Sequence, residues 1–126
     1  MRWVLDSNVW IEAVAGIRTA GNAVVKAGTI EWAGYSAISR LEVFGFPRLT
    51  ATDEKNLSEM LQQFHEVPVS SAIIDEAIRI RKQVKVKVPD ALIAATALVE
   101  AAELVTRNVS DFLCIPGLRV IDSATL

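Results

Sequence analysis

Four acidic residues, Asp6, Glu42, Asp90 and Asp111, stand where an apolar run stops or a helix is expected to begin. A carboxylate at the end of a buried strand is costly to desolvate and contributes little to a core. The same group suits a cleft that holds a divalent cation. Each of the four also has a local explanation. Asp6 precedes Ser7 and Asn8 in a turn-prone trio and could close an Asx turn. Ser39 and Glu42 have capping-box spacing. Asp90 falls in a first helical turn, where the helix dipole favours an anion. Asn108 to Asp111 resembles a capping pattern as well.

Taken together, the local explanations require four separate coincidences on one expected rim. The surroundings argue for convergence too. Leu41 and Val43 flank Glu42, Ala91 to Ile93 follow Asp90, and Phe112 and Leu113 follow Asp111. Carboxylates crowded among apolar neighbours repel one another and stay ionised only with a cation among them. An all-oxygen donor set selects Mg²⁺ or Mn²⁺. One His and one Cys, far apart, do not make a zinc site. His65 reads as the polar edge of a helix end. The four carboxylates are expected to meet within a few ångströms of a shared cation.

The elements that would position these acids alternate in type. Short apolar runs at Trp3–Leu5, Trp32–Ile38, Glu66–Val69, Leu104–Thr106 and Leu118–Ile121 read as strands. Helices are expected over Asn22–Ala27, Ser39–Phe44, Asp53–Phe64 with Thr52 as N-cap, and Asp90–Ala102, with a further helix after Ser70 or Ser71. The apolar face of that further helix would be Ile73, Ile74, Ala77, Ile78 and Ile80. Pro68 marks its strand as a sheet edge. The pattern predicts an α/β domain with a parallel sheet covered on both faces, and such sheets bind ligands beyond their C-terminal strand ends. The 126 residues suit a single domain spanning 1–126.

Thirteen basic residues face fifteen acidic ones. With the four site acids set aside, thirteen bases face eleven acids, so a basic surface can coexist with an anionic site. Arg79, Arg81, Lys82, Lys85 and Lys87 lie just before Asp90, and Arg107 follows Thr106. Two readings stand for them: a solvated helix end, or a strip that positions phosphates. No apolar run is long enough to span a membrane, an acid comes too early for a signal peptide, and a single cysteine fits a reducing compartment, so the cytoplasm is expected. Mean hydropathy is +0.34, and Trp10, Phe44, Phe46 and Leu49 read either as core or as an exposed patch for a partner.

Four stretches carry a family resemblance: Val4 to Asn8, Ser39 to Gly45, Pro89 to Ala97, and Leu104 to Phe112. In that order they resemble the motifs of PIN-domain proteins, most of all the VapC-type toxin ribonucleases of prokaryotic type II toxin–antitoxin modules. The tail from Pro116 to Asp122 is similar as well. The resemblance implies a three-layer α/β/α domain with a parallel sheet of four or five strands. It implies Mg²⁺- or Mn²⁺-dependent endonucleolytic cleavage of RNA, with Asp6, Glu42, Asp90 and Asp111 around the metal. Asn8 and Thr106 match the residues that hold those carboxylates, and Asn108 stands where some members carry another acid. The implied partners are RNA, a small antitoxin that occludes the site, and a second copy of the chain, with higher-order assembly on the antitoxin. Two rivals are a catalytically silent PIN-fold regulator that binds RNA or protein, and a nuclease for structured DNA. The latter class carries long arches for which this chain is too short.

Overall fold

A computed structural model describes residues 1–126. Five strands form one parallel sheet: β1 (Arg2–Leu5), β2 (Trp32–Ser36), β3 (His65–Val67), β4 (Glu103–Thr106) and β5 (Val120–Asp122). Their order across the sheet is β3-β2-β1-β4-β5. Trp3 of β1 sits opposite Ala33 on one side and Glu103 on the other. Six helices cover the sheet: α1 (Ser7–Val14), α2 (Arg18–Ala27), α3 (Ala37–Phe44), α4 (Ala51–Leu61), α5 (Ser71–Gln83) and α6 (Val88–Val99). The α/β class and the five-stranded parallel sheet are those expected from the alternation of elements. No helix is long and apolar enough to cross a membrane.

Strand side chains alternate between faces, which divides the core in two. Trp3 and Leu5 of β1 pack with Val9, Trp10, Ala20 and Leu57 beneath α1, α2 and α4. Val4, between them, packs on the other face with Ile73, Ile80, Ile93 and Ala94 of α5 and α6. Trp10 is fully buried and lies edge-on to Tyr35, with ring centroids 5.8 Å apart. Trp10 therefore belongs to the core rather than to an exposed patch, and Phe44 and Leu49 pack against the same cluster. Gly34 is required by close approach. A Cβ there would stand 2.5 Å from the His65 carbonyl oxygen and 2.8 Å from the Trp32 ring.

Several boundaries differ from the sequence expectation. β2 stops at Ser36, and Ala37 and Ile38 already form the first turn of α3. Ser36 caps that helix through the Ile38 N–H, so Ser39 and Glu42 form no capping box. Thr50, not Thr52, caps α4, in a reciprocal box with Asp53. His65 opens edge strand β3 and stacks on Trp32 instead of ending a helix. On α5 the buried face is Ile73, Ala77 and Ile80, while Ile74 and Ile78 are exposed. Helix α2 begins at Arg18, earlier than its apolar residues suggested, and α6 ends at Val99.

Candidate active site

The strand order places a topological switch between β1 and β4, because the chain winds outward from β1 in one direction and continues from β4 in the other. Asp6 leaves the C-terminal end of β1, and Thr106 ends β4 beside it. The Thr106 hydroxyl donates to Asp6 Oδ2 at 2.8 Å, across the switch point. Asn8 Nδ2 reaches the same oxygen at 3.3 Å, and the Ser7 backbone N–H donates to Asp6 Oδ1 at 2.7 Å. Asp6 is also the N-cap of α1. Its Asx-type local role and its placement on the rim coexist.

Both supporting residues are themselves held. The Asn108 backbone N–H donates to Thr106 Oγ1 at 3.1 Å, and the Arg107 N–H donates to Asn8 Oδ1 at 3.3 Å. Asn108 contributes here through its backbone, and its side chain caps nothing. The short 3-10 turn Val109–Asp111 carries Asp111 to the rim. Asp90 arrives in the first turn of α6, after Pro89 at the helix start where a missing N–H costs nothing.

Glu42, on α3, is reached by a residue that spacing alone does not single out. Ser7 Oγ lies 2.6 Å from Glu42 Oε1 and 2.8 Å from Ser39 Oγ. Ser7 and Ser39 are buried at 7% and 1% exposure. The only signals for this pair in the sequence are that Ser7 follows Asp6 and that Ser39 lies three residues before Glu42.

The electrostatics separate the four acids. Asp6 is buried, and burial pushes its carboxyl up to about 6, against the lowering effect of the Thr106 and Ser7 hydrogen bonds and with the help of Asp90 and Glu42. Asp90 is also raised, first by burial and then by Asp111 and Glu42, while Lys87 opposes the shift. Asp6 and Asp90 therefore each feel two other members of the set. The four acids thus share one rim, though no three of them stand at ligating distance around one point.

The donor set nevertheless fits a hard divalent cation. Every candidate ligand is an oxygen. A carboxyl pushed up to about 6 is an anionic position whose charge is undercompensated by protein. Asp90 and Asp111 line a cavity of about 510 Å³ together with Arg81, Lys85, Val86, Lys87, Ser110 and Cys114. Three of the six basic candidates thus face the same opening as two of the acids. Lys82 lines an adjoining depression with Arg81 and Lys85. Arg79 points elsewhere and pairs with Glu76 on its own helix. Arg107 lies 3.7 Å from Glu12 on the α1 side of the rim.

Comparison with known proteins identifies relatives of this fold. The PIN domain family matches residues 3–112. A toxin–antitoxin complex from Klebsiella pneumoniae contains a chain 31% identical, with a TM-score of 0.80 over 95% of this chain and 96% of that one. VapBC2 from Rickettsia felis, bound to a promoter DNA fragment, has a chain 22% identical with a TM-score of 0.82 over 97% and 98%. DNA-bound VapBC from Salmonella typhimurium gives 20% identity and a TM-score of 0.80 over 98% of each chain. The latter two likenesses speak to fold alone. No curated protein matches the sequence significantly. With 110 consecutive residues matched and a switch-point aspartate held by a strand-end threonine, the chain belongs to the PIN domain family.

Proposed function

We propose that this protein is a divalent-metal-dependent endoribonuclease and the toxin of a VapBC-type toxin–antitoxin pair. The observation that carries the reading is the electrostatic state of the switch-point rim. A buried aspartate held by three donors is pushed up to about 6, first by burial and then by the neighbouring Asp90 and Glu42. The match of the chain to a toxin–antitoxin complex at 31% identity supports the toxin role.

In this reading Asp6, Glu42, Asp90 and Asp111 would together surround Mg²⁺ or Mn²⁺. Bound there, the cation supplies Lewis acidity and offsets the charge that develops on the phosphate. The protein's own groups do the rest. Asp6 is kept in one orientation by Thr106, Asn8 and the Ser7 N–H. Glu42 has Oε1 engaged by Ser7, which leaves Oε2 to orient the attacking water and accept its proton. The water oxygen forms a bond to phosphorus as the bond to the leaving ribose oxygen breaks. Arg81, Lys85 and Lys87, beside Asp90 and Asp111, bring the anionic backbone to an anionic rim. Arg107 extends the strip on the far side of Asp6.

The partner in this reading is a small antitoxin that covers the rim, and a cationic side chain from it would neutralise the carboxylates. Ile74 and Ile78 on α5, with Leu41 on α3, are exposed apolar side chains available to a second copy. One observation favours a second reading, a silent PIN-fold regulator that binds RNA or protein: no three acids are preassembled. The two are separated by incubating antitoxin-free protein with cellular RNA and Mg²⁺ or Mn²⁺. The nuclease reading expects cleavage that EDTA abolishes and that Asp90→Asn reduces by about 10³-fold, the scale of losing a group that acts on developing charge. Cleavage that survives both treatments, or no cleavage under any divalent ion, contradicts it.

A further inference from the structure

The Ser7 hydroxyl has no role in the helix it begins. Asp6 caps α1, and the Ser7 side chain bonds no backbone group of that helix. Ser39 is equally free of a local role. Thr96, a buried hydroxyl in α6, bonds the carbonyl four residues back, whereas the buried Ser39 hydroxyl instead meets Ser7. Two hydroxyls are thus buried against each other and against one carboxylate oxygen. A serine hydroxyl has one proton to give. At 2.6 Å from Glu42 Oε1, a length typical of a hydroxyl on a carboxylate, Ser7 gives it there and accepts from Ser39 at 2.8 Å.

Ser7 consequently holds two acids with one residue. Its backbone N–H fixes Asp6 Oδ1 at 2.7 Å, and its hydroxyl fixes Glu42 Oε1. Those acids come from different elements, the end of β1 and the exposed face of α3. Glu42 is otherwise a long, exposed side chain free to rotate away from the rim. Ser39, three residues earlier on the same helix, lies close enough to brace Ser7 from the α3 side.

We propose that Ser7, braced by Ser39, is a positioning residue that turns the Glu42 carboxylate toward Asp6 so that both face one divalent cation. The inference rests on the metal-dependent nuclease reading and names what assembles that site. Groups that orient ligands in this way change metal affinity about 10- to 100-fold when removed.

The test measures Mn²⁺ affinity by titration calorimetry on antitoxin-free protein, with RNA cleavage kinetics and thermal melting alongside. Ser7→Ala is expected to weaken Mn²⁺ binding about 10-fold and to lower kcat by a similar factor, with KM for RNA unchanged. Ser7→Thr, which keeps the hydroxyl, is expected to restore Mn²⁺ affinity to within about twofold of the parent. Ser39→Ala leaves the Ser7–Glu42 bond and is expected to weaken binding about threefold, less than the direct contact. It also serves as the readout if Ser7→Ala does not fold. A folded Ser7→Ala, or in its place Ser39→Ala, that binds Mn²⁺ as tightly as the parent overturns the proposal, even if its melting temperature has dropped. A parent protein that neither binds Mn²⁺ nor cleaves RNA overturns the nuclease reading itself, which separates the two failures.

Discussion

The two ends of the sheet gather charge in opposite ways. At the end where β1 begins, Glu31 and Glu100 each meet a cation. The N-terminal ammonium pairs with Glu31 at 2.8 Å, and Arg2 bonds the Glu100 carboxylate and carbonyl while lying over the Trp32 ring at 4.4 Å. Glu31 is accordingly held below the usual carboxylate range by its bond to the ammonium. At the end where β1 stops, Asp6 and Asp90 are raised by burial and by other acids. Both ends also have a cavity, about 340 Å³ at the first and about 510 Å³ at the second. A cavity alone therefore does not mark function here. The informative difference is that Glu31 and Glu100 at one end form ion pairs within the protein, whereas none of the four rim acids does.

The largest expected effect breaks this contrast at Asp6. Asp6→Asn keeps the size of the side chain and removes the charge. RNA cleavage should fall about 10³-fold, as expected for a group acting at the reacting phosphate. Metal-free protein at pH 7.5 should become more stable by about 1–3 kcal/mol, because a buried charge has gone. Cleavage assays and urea unfolding of the same preparation check both. Cleavage at the parent rate would make Asp6 a structural cap rather than a functional acid.

The second effect is the pH dependence of the unmodified chain. Between about 4 and about 6 the folded protein keeps a proton on Asp6 that the unfolded chain has released. Folding stability should therefore fall as pH rises through that window, by on the order of 2–3 kcal/mol for this group, and stay reduced above it. Mg²⁺ should raise the melting temperature at pH 7.5 and do so much less at pH 5. Melting curves at the two pH values, with and without Mg²⁺, give the comparison directly.

The opposite end should behave in the opposite sense. Arg2→Ala removes a half-buried ion pair and a cation–π contact. It should cost about 1–2 kcal/mol of stability and leave cleavage at the parent rate. The smallest effect lies nearby, in the link from α6 to β4. Ala101 holds a left-handed backbone with φ of 52°. Ala101→Gly should be neutral or stabilising by up to about 1 kcal/mol, with cleavage again untouched. Either variant losing activity out of proportion to stability would place function at both ends of the sheet.

Much of this contrast can be read from residues in order. Trp3 to Leu5 ending at Asp6, and Leu104 to Thr106 ending at Arg107, announce two parallel strands whose ends carry polar groups, though not that they are neighbours. Pro89 before Asp90 announces a helix start. What could not be read depends on contacts between distant segments. Ala37 and Ile38 extend the apolar run of β2 as well as they begin α3, and only the Ser36 cap decides. Ile74 and Ile78 fit an amphipathic pattern with Ile73 and Ala77, but α6 covers one side of α5 and leaves those two outside. Ser7 and Ser39 lie 32 positions apart, so their contact with Glu42 has no local signature. The spacing of the acids belongs to the same class, because they come from four segments that meet only in the fold.

The central claim is that the rim of β1 and β4 is completed by a divalent cation. The most direct measurement is anomalous X-ray scattering from crystals of antitoxin-free protein grown with Mn²⁺. The account expects one or two anomalous peaks between Asp6, Asp90 and Asp111, at roughly 2.0–2.3 Å from carboxylate oxygens. Mn²⁺ present in the crystal with no peak at that rim, or with its peaks only among Glu31, Glu100 and Glu103 at the other end, would contradict it.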